Sequence, residues 1–337
     1  AGAAAAGEIV DMARDSREDD LVLCTFTGGA SALTPALHPE IPLADMQRLT
    51  CMLLECGATI HEINTLRKHL SRFSGGSLVR AAFPATVLGL IVSDVVGDDL
   101  DVIASGPTVP DPSTFADCLR VVEHYGLRWK MPQSIWAHIE GGLQGRTPET
   151  PKADEPAFGR VRNVLVASVK QALEAAADEA ARCGFVPRIL TTAMSGEARR
   201  TAAQLVAEAR RAQAGLRPGD APLCLLAGGE TTVTIRGSGK GGRNQEMALA
   251  ATLELADDRG IDLICVGTDG TDGPTDAAGG YAFSGDLARL RAIGLHPKES
   301  LDANDSYPLL LKAGTLLRTG PTRTNVMDMA IMLVRPK

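Results

Sequence analysis

The chain has 337 residues, a formal net charge of −7 and 45% hydrophobic residues, of which few are aromatic. This length allows two domains or one large one, and an acidic chain without a Lys/Arg-rich run is not a typical nucleic-acid-binding protein. The 35 glycines and the aliphatic composition favour an α/β protein with many tight turns.

The seven cysteines form neither a C-x-x-C pair nor a zinc-binding spacing. We expect buried free thiols, as in a reducing compartment. No apolar run reaches the roughly 18 residues that a membrane helix needs, and no secretory signal is present, so we predict a cytoplasmic protein. Because the chain starts at Ala1 without an initiator Met, we expect the natural protein to begin further upstream.

In the first half, apolar runs predict strands at 21–26 and 86–92, each followed by a polar turn. Helical periodicity covers four stretches, residues 8–17, 43–56, 60–82 and 115–125. Gly, Pro and charged residues are concentrated in 141–156. We therefore predict a first domain at 1–145, a linker at 146–158 and a second domain at 159–337.

Beyond this linker, strands and helices alternate. The predicted strands are 164–167, 187–190, 223–227, 231–236, 261–266 and 329–334, and the main predicted helices are 170–182, 198–214 and 245–256. Such alternation is typical of right-handed βαβ units. We predict an α/β fold of two domains, each with a mostly parallel sheet flanked by helices. The last strand belongs to the second domain or returns to the first.

The loop after the strand at 261–266 carries three carboxylates, Asp269, Asp272 and Asp276, together with five glycines. Asp-Gly pairs are also ordinary turn formers in solvated loops. The density of carboxylates just past a buried strand nevertheless favours Mg²⁺ held together with nucleotide phosphates.

A second glycine-rich segment, residues 237–242, matches G-x-G-x-x-G. A dinucleotide fold is disfavoured for two reasons. The preceding stretch alternates polar and apolar residues, and the next strand ends in Val266-Gly267-Thr268, without an acid at the position of a ribose partner. An alternative interpretation of this segment is a flexible connection without a binding role. An anion site is favoured, since Lys240 and Arg243 flank glycines where a helix begins, and helix N-termini attract anions.

The spacing of Asn64, Arg67 and Lys68 places them on one side of a helix, where they suit a small carboxylate or phosphate. A solvated helix face is the alternative. Asp94 follows the strand at 86–92, in the position of a metal or hydroxyl ligand. We assign no role to the histidines at 38, 61, 124, 138 and 296.

Six motifs occur in order along the chain: Asn64–Ser71, Ser93–Asp98, Ile103–Thr108, Gly241–Glu246, Gly267–Gly279 and Gly320–Asn325. They resemble those of class II glycerate kinases (glycerate 2-kinases), whose second domain is the MOFRL domain and whose members are often labelled hydroxypyruvate reductases of tartrate degradation. The resemblance implies a Rossmann-like N-terminal domain, a MOFRL-type α/β domain and an active site in the cleft between them.

The resemblance further implies ATP and Mg²⁺ as cofactors and phosphorylation of D-glycerate to 2-phosphoglycerate. Arg243 matches an arginine that is believed to be catalytic in the family, and Asp94 and Asp269 are our candidates for the acceptor of the hydroxyl proton. The chain departs from the family at Thr27, where serine is usual, and at Arg323, where glycine is usual. The family's N-terminal segment with its lysine is absent from this chain.

These arguments give a set of expected site residues. Substrate-binding residues are expected at Ser31, Asn64, Arg67 and Lys68. Nucleotide-binding or phosphate-binding residues are expected at Gly28, Gly29, Gly228, Gly229, Glu230, Thr231, Lys240, Gly241, Gly242, Asn244, Thr268 and Gly270. Metal ligands are expected at Asp269, Asp272 and Asp276.

We expect glycerate and a nucleotide as partners, and neither nucleic acid nor a membrane. A homodimer stays open. The alternative functions are an NAD(P)H-dependent hydroxypyruvate reductase and a non-catalytic nucleotide-binding relative.

Overall fold

The computed structural model describes residues 1–256 and 258–337. The chain divides into two compact units. The first contains residues 1–92 and 98–166, and the second contains residues 93–97 and 167–337. The two-domain organisation is thus present, with the boundary near residue 167 and a short excursion of 93–97 into the second unit.

The first unit is built on a three-stranded sheet with the order β1-β2-β3. The strands are β1 (Leu21–Phe26), β2 (Thr86–Val92) and β3 (Val161–Ala167). β1 and β2 are parallel, with Leu21 opposite Thr86. The helices are α1 (Gly2–Arg14), α2 (Ala30–Leu33), α3 (Leu43–Glu55), α4 (Ile60–His69), α5 (Ser77–Ala82), α6 (Phe115–His124) and α7 (Gln133–Leu143). Helix α7 was not predicted, although Ile135, Trp136 and Ile139 have helical spacing and are buried.

The predicted linker at 146–158 is wrong, because this segment is packed into the first unit. Thr150 and Pro151 are buried, and the Thr150 hydroxyl donates to Asp111 Oδ2 at 2.9 Å. Two of the glycines that suggested flexibility, Gly141 and Gly142, allow close packing instead. A Cβ on Gly142 would lie 2.2 Å from the Phe115 ring.

The second unit contains a six-stranded sheet with the order β4-β5-β9-β6-β7-β8. Its strands are β4 (Val186–Met194), β5 (Leu223–Gly229), β6 (Ile261–Gly267), β7 (Gly279–Phe283), β8 (Leu316–Leu317) and β9 (Asp328–Val334). Its helices are α8 (Val169–Arg182), α9 (Ala198–Ala214), α10 (Arg243–Glu254), α11 (Asp286–Ala292), α12 (Pro297–Asp302) and α13 (Ser306–Ala313). The predicted strand at 231–236 is wrong, since only a single bridge joins Thr232 to Glu197.

The last strand lies in the middle of this second sheet. β9 pairs with β5 and with β6, antiparallel to both. Of the five pairings in the sheet, only β4 with β5 is parallel. The α/β class is confirmed, but the expectation of a mostly parallel second sheet is wrong, and so is a return of the last strand to the first domain. Periodicity identifies a buried strand but carries no information about its direction.

Helix α10 lies in the core of the second unit. Every residue from Asn244 to Thr252 is buried, and the helix packs against α9, β6 and β7. Its N-terminus, beginning at Arg243, follows the glycine-rich segment. Within the described residues, no helix combines the length and apolar character required to traverse a bilayer.

Candidate active site

The antiparallel insertion of β9 places a buried carboxylate at the end of two other strands. Asp328 begins β9 and lies opposite Gly229 at the end of β5 and Gly267 at the end of β6. Arg243 donates to it from Nε at 2.6 Å and from Nη2 at 3.1 Å. Burial raises the pKa of Asp328, the Arg243 guanidinium lowers it, and the negative charge of Asp269 raises it further.

Arg243 also donates from Nη1 to the carboxylate of Glu230. The Glu230 side chain is 45% exposed, whereas that of Asp328 is 1% exposed. One carboxylate therefore anchors the guanidinium from inside, and the other contacts it from the solvent side. Asp328 was not among the expected site residues, although an acid at the start of an otherwise apolar strand needs a buried partner.

Asp272 caps helix α10. Its carboxylate accepts from the backbone N–H of Asn244 at 3.1 Å and of Gln245 at 2.8 Å, and from Gln245 Nε2 at 2.9 Å. Burial raises its pKa in spite of these bonds. Asp272, which was expected to bind a metal, thus occupies the helix N-terminus where an added anion would otherwise bind. A Cβ on Gly242 would lie 2.4 Å from Asp272 Oδ2, so glycine is needed there for close approach.

The three aspartates of this loop do not form one cluster. Asp269 accepts from the backbone N–H and the hydroxyl of Thr271, both at 2.9 Å, and Asp276 accepts from the Tyr307 hydroxyl at 2.6 Å. Across residues 1–256 and 258–337, the one group of three potential metal ligands with donor atoms within 4.8 Å lies elsewhere, in the first unit. In the described residues these three carboxylates do not form a cation cage by themselves, and the expected site, which also includes nucleotide phosphates, stays a prediction.

The glycine-rich segment 237–242 is held against residues 303–306. Asn304 Oδ1 accepts from the backbone N–H of Arg236 and of Gly237, and Asp305 Oδ1 accepts from the N–H of Lys240. A Cβ on Gly237 would lie 2.3 Å from Ala303 O. These N–H groups are not open to phosphate. Lys240 Nζ lies over the Tyr307 ring, 4.3 Å from its centroid.

A cavity of about 660 Å³ lies beside Arg243 in the second unit. Four expected nucleotide-site residues line it, together with the expected catalytic residue Arg243. The four are Glu230, Thr231, Gly241 and Gly242. The buried Thr231 hydroxyl has no hydrogen-bond partner in the part of the chain that the structure describes. Ile235 and Val96 form an apolar part of the cavity wall. The side chain of Ile235 is largely exposed.

Other expected nucleotide-site residues do not line this cavity. They are Gly28, Gly29, Gly228, Gly229, Lys240, Asn244, Thr268 and Gly270. Gly28 and Gly29 lie in the first unit. Within β5, a Cβ on Gly229 would lie 2.2 Å from Met194 O. The Thr268 hydroxyl donates to Met327 O at 2.6 Å, which fixes the backbone just before Asp328.

Asp94 belongs to the segment 93–97 of the second unit. Its carboxylate is half-buried, and burial raises its pKa. No arginine, lysine or histidine of the described residues forms an ion pair with it. Val96, two residues further on, lines the cavity.

Three of the four expected substrate residues form a hydrogen-bonded chain in the first unit, together with Ser105, which was not expected. The three are Ser31, Asn64 and Arg67. Ser31 Oγ lies 2.8 Å from Ser105 Oγ, and Ser105 Oγ donates to Asn64 Oδ1 at 3.1 Å. Arg67 Nη1 donates to the same Asn64 oxygen at 3.2 Å. Ala104 and Ser105 have φ values of 54° and 58°, a backbone conformation that is costly for residues other than glycine.

Arg67 and Lys68 differ sharply in their surroundings. Lys68 Nζ lies 2.5 Å from Asp101 Oδ1 and 3.6 Å from Asp111 Oδ1, and its side chain is buried. Arg67 is half-buried, burial lowers its pKa, and within the described chain no carboxylate pairs with it. Of these two cations, Arg67 is the one without a carboxylate partner in the described residues and can therefore bind an added anion.

Family models match both halves of the chain. A domain of unknown function, DUF4147, matches residues 1–140, and the MOFRL family matches residues 223–328. The chain is 45% identical to a protein named glycerate 2-kinase from Pyrococcus horikoshii, over 98% of this chain and 74% of that one. It is 44% identical to a putative hydroxypyruvate reductase from Agrobacterium vitis, over 94% of this chain and 70% of that one.

The fold is similar to that of a solved relative. A crystal structure of glycerate kinase from Thermotoga maritima matches with a TM-score of 0.90 and 41% identity, over 99% of this chain and 78% of that one. At this identity and coverage, sequence and fold agree, and the chain belongs to the glycerate kinase family that carries a MOFRL domain.

Proposed function

We propose that this protein is a glycerate 2-kinase, which transfers the γ-phosphoryl group of ATP to the 2-hydroxyl of D-glycerate. The observation that carries the proposal is the 45% identity to a glycerate 2-kinase over 98% of the chain. Kinase chemistry depends mainly on positioning and on charge stabilisation, and the second unit offers a cavity with an anchored arginine at its wall.

The nucleotide is proposed to bind in the cavity beside Arg243. A volume of about 660 Å³ is within the usual range for small-ligand pockets. The unpartnered Thr231 hydroxyl supplies a polar contact, and Ile235 and Val96 supply an apolar surface for a base. A buried hydroxyl without a partner costs free energy, which a ligand would recover.

Arg243 is proposed to stabilise the charge that develops on the transferred phosphoryl group. Its Nε and Nη2 are held by buried Asp328, so the guanidinium is oriented before substrate arrives. Its Nη1 contacts the half-exposed carboxylate of Glu230. Because Glu230 is free to turn into solvent, a phosphate oxygen can take its place at low cost.

Magnesium is proposed to be held by Asp269 together with nucleotide phosphates, since Mg²⁺ in such sites takes one or two carboxylates plus phosphate oxygens. Asp269 fits, because it is half-buried and accepts hydrogen bonds from the neutral donors of Thr271. Asp272 does not fit, because it accepts from α10, and Asp276 is paired with Arg318 at 3.3 Å. When bound, the ion would neutralise phosphate charge.

Glycerate is proposed to bind through its carboxylate to Arg67, with Ser31 and Ser105 as hydroxyl partners. Arg67→Gln is expected to raise the KM for glycerate by about tenfold or more, as for loss of one charged hydrogen bond. The KM for ATP should stay near the wild-type value. Arg48→Gln, on the exposed face of α3, is the matched control. An unchanged KM for glycerate in the Arg67 variant would show that Arg67 does not bind the glycerate carboxylate.

The proton of the 2-hydroxyl is proposed to pass to Asp94 as the oxygen bonds to the γ-phosphorus and ADP departs. Burial raises the pKa of this carboxyl, which makes its anion a better base. Asp94→Asn is expected to lower kcat much more than it changes either KM. A KM effect with a normal kcat would point to binding instead.

One experiment tests the function as a whole. The protein is incubated with D-glycerate, ATP and Mg²⁺, and the products are identified by phosphorus NMR. We expect ADP and 2-phosphoglycerate. 3-Phosphoglycerate would contradict the position of transfer, and unreacted ATP would contradict kinase activity.

The second candidate is a hydroxypyruvate reductase, favoured by the name of the Agrobacterium vitis relative. It predicts NADH or NADPH oxidation with hydroxypyruvate in the absence of ATP. A non-catalytic nucleotide-binding protein would instead bind ATP without releasing ADP.

A further inference from the structure

Three side chains in the first unit bring metal-binding atoms together, separate from the residues assigned above. The donor atoms of His38, Glu40 and His138 all lie within 4.8 Å of one another. His38 and Glu40 precede α3, and His138 lies in the middle of α7. The two imidazole rings are 4.5 Å apart between centroids. No motif of the sequence links these positions, and only the fold makes them neighbours.

The hydrogen bonds of His138 leave one ring nitrogen facing a carboxylate. Nε2 lies 2.9 Å from the carbonyl oxygen of His69, which can only accept, so Nε2 carries a hydrogen. Nδ1 lies 2.8 Å from Glu40 Oε1, which also accepts. Two acceptors, Nδ1 of His138 and Oε1 of Glu40, therefore face each other unless a proton or a metal cation lies between them. Metal-binding histidines characteristically donate their other N–H to a backbone carbonyl or carboxylate.

His38 completes the set. Its ring is half-buried, and no hydrogen bond to either ring nitrogen occurs within residues 1–256 and 258–337. Two imidazoles and one carboxylate are a common ligand set for Zn²⁺, with water in the fourth position. Ligands about 2.0–2.1 Å from a tetrahedral ion lie roughly 3.3 Å apart. Glu40, whose side chain is 56% exposed, has the freedom to adjust.

The group is accessible from solvent. His38 lines a cavity of about 340 Å³, which gives an entry path and room for a water ligand. Arg72 lines the same cavity, and its positive charge opposes a cation. Arg72 Nε donates to the carbonyl oxygen of Leu37 at 2.9 Å, which holds the guanidinium in place.

We propose that His38, Glu40 and His138 form a binding site for a divalent transition-metal ion, with Zn²⁺ as the best fit. The ion would tie the segment before α3 to α7. Nitrogen ligands favour Zn²⁺ and Co²⁺ over Mg²⁺, which prefers oxygen, so this site is chemically distinct from one that serves nucleotide phosphates.

The test uses the full chain after treatment with a chelator. Co²⁺ is added and followed by visible absorption, and Zn²⁺ and Mg²⁺ are then offered as competitors. We expect one Co²⁺ per chain with the intense spectrum of a tetrahedral ion, displaced by Zn²⁺ and unaffected by Mg²⁺. Zn²⁺ should also raise Tm, because it binds the folded state.

The variants His38→Gln and Glu40→Gln are expected to weaken Co²⁺ binding by about tenfold or more and to lose the Tm increase. His296→Gln, at an exposed histidine of the second unit, is the control and should behave as wild type. Absence of the Co²⁺ spectrum in wild type, or wild-type binding by His38→Gln, would overturn the proposal. The contact between His138 and Glu40 would then be an ordinary ion pair.

Discussion

The ion pair between Arg243 and Asp328 gives Arg243 a structural role in addition to the catalytic role that the sequence predicts. From the sequence, Arg243 is an arginine in a glycine-rich loop, whose loss should affect catalysis and hardly affect folding. In the structure it is the first residue of α10 and the partner of a fully buried carboxylate. Removing one member of such a pair leaves an uncompensated charge, which is more costly than never having had the pair.

Arg243→Ala is therefore expected to lower kcat by orders of magnitude and also to reduce the free energy of unfolding by about 2–3 kcal/mol. This is below the range for a fully buried pair, because the guanidinium is about one-third exposed. Urea unfolding at neutral pH measures the loss. Arg318→Ala removes an exposed arginine and should cost much less, because surface ion pairs contribute little to stability.

The destabilisation should depend on pH. Without Arg243, the folded-state pKa of Asp328, already raised by burial, rises further above its unfolded value. A raised folded-state pKa favours folding below the unfolded pKa, and this contribution is lost as pH increases through the folded pKa. The Arg243→Ala defect should thus shrink at acidic pH. Asp328→Asn in the same chain should recover most of it at neutral pH, and a persistent defect would contradict the argument.

At the scale of elements, helix α10 depends on a residue that is distant in sequence. Asp272 occupies the helix N-terminus, and its carboxylate bonds to two backbone N–H groups that the helix cannot satisfy itself. The sequence places Asp272 in an acidic loop and gives no indication that this loop meets the start of α10. Asp269 and Asp276, only three and four residues away, have entirely different partners.

Asp272→Ala is expected to reduce the free energy of unfolding by about 1–2 kcal/mol, the usual cost of a lost helix cap. Asp272→Asn keeps an acceptor oxygen and should cost less. Thermal or urea unfolding distinguishes them. Asp276→Ala, in the same loop but exposed, should unfold nearly as wild type does. Equal effects of the Asp272 and Asp276 variants would show that capping is unimportant.

At the scale of the whole molecule, the end of the chain is central to the second unit. β9 supplies hydrogen bonds to both β5 and β6, and Met332 and Val334 are fully buried. Without it, two apolar strands lose their shared neighbour and expose unpaired edges. The same strand carries Asp328, so that folding of the sheet and positioning of Arg243 are linked.

A chain that ends at Met327 is expected to lose the second unit's native structure and to aggregate, because exposed apolar strand edges associate. Circular dichroism, size-exclusion chromatography and the sharpness of thermal unfolding report this loss. A chain that ends at Arg335 should behave as wild type, since β9 remains complete. A well-folded monomer without β9 would contradict the central role of this strand.

The sequence determined which segments are strands and helices wherever apolar periodicity was strong, as at β1, β2, α9 and β6. It also identified the family through six motifs, and it identified Arg243, Glu230 and Thr231 as candidates for one site. These conclusions depend on local patterns and on side-chain chemistry, both of which are properties of short segments.

Only the tertiary structure decided which residues share an environment. It placed β9 antiparallel between β5 and β6 and paired Arg243 with Asp328. It also gave Lys68 two aspartates, left Arg67 without a carboxylate partner among the described residues, and brought His38 close to His138. Strand direction, ion pairing and burial depend on contacts between residues far apart in the chain, and a one-dimensional pattern contains no record of them.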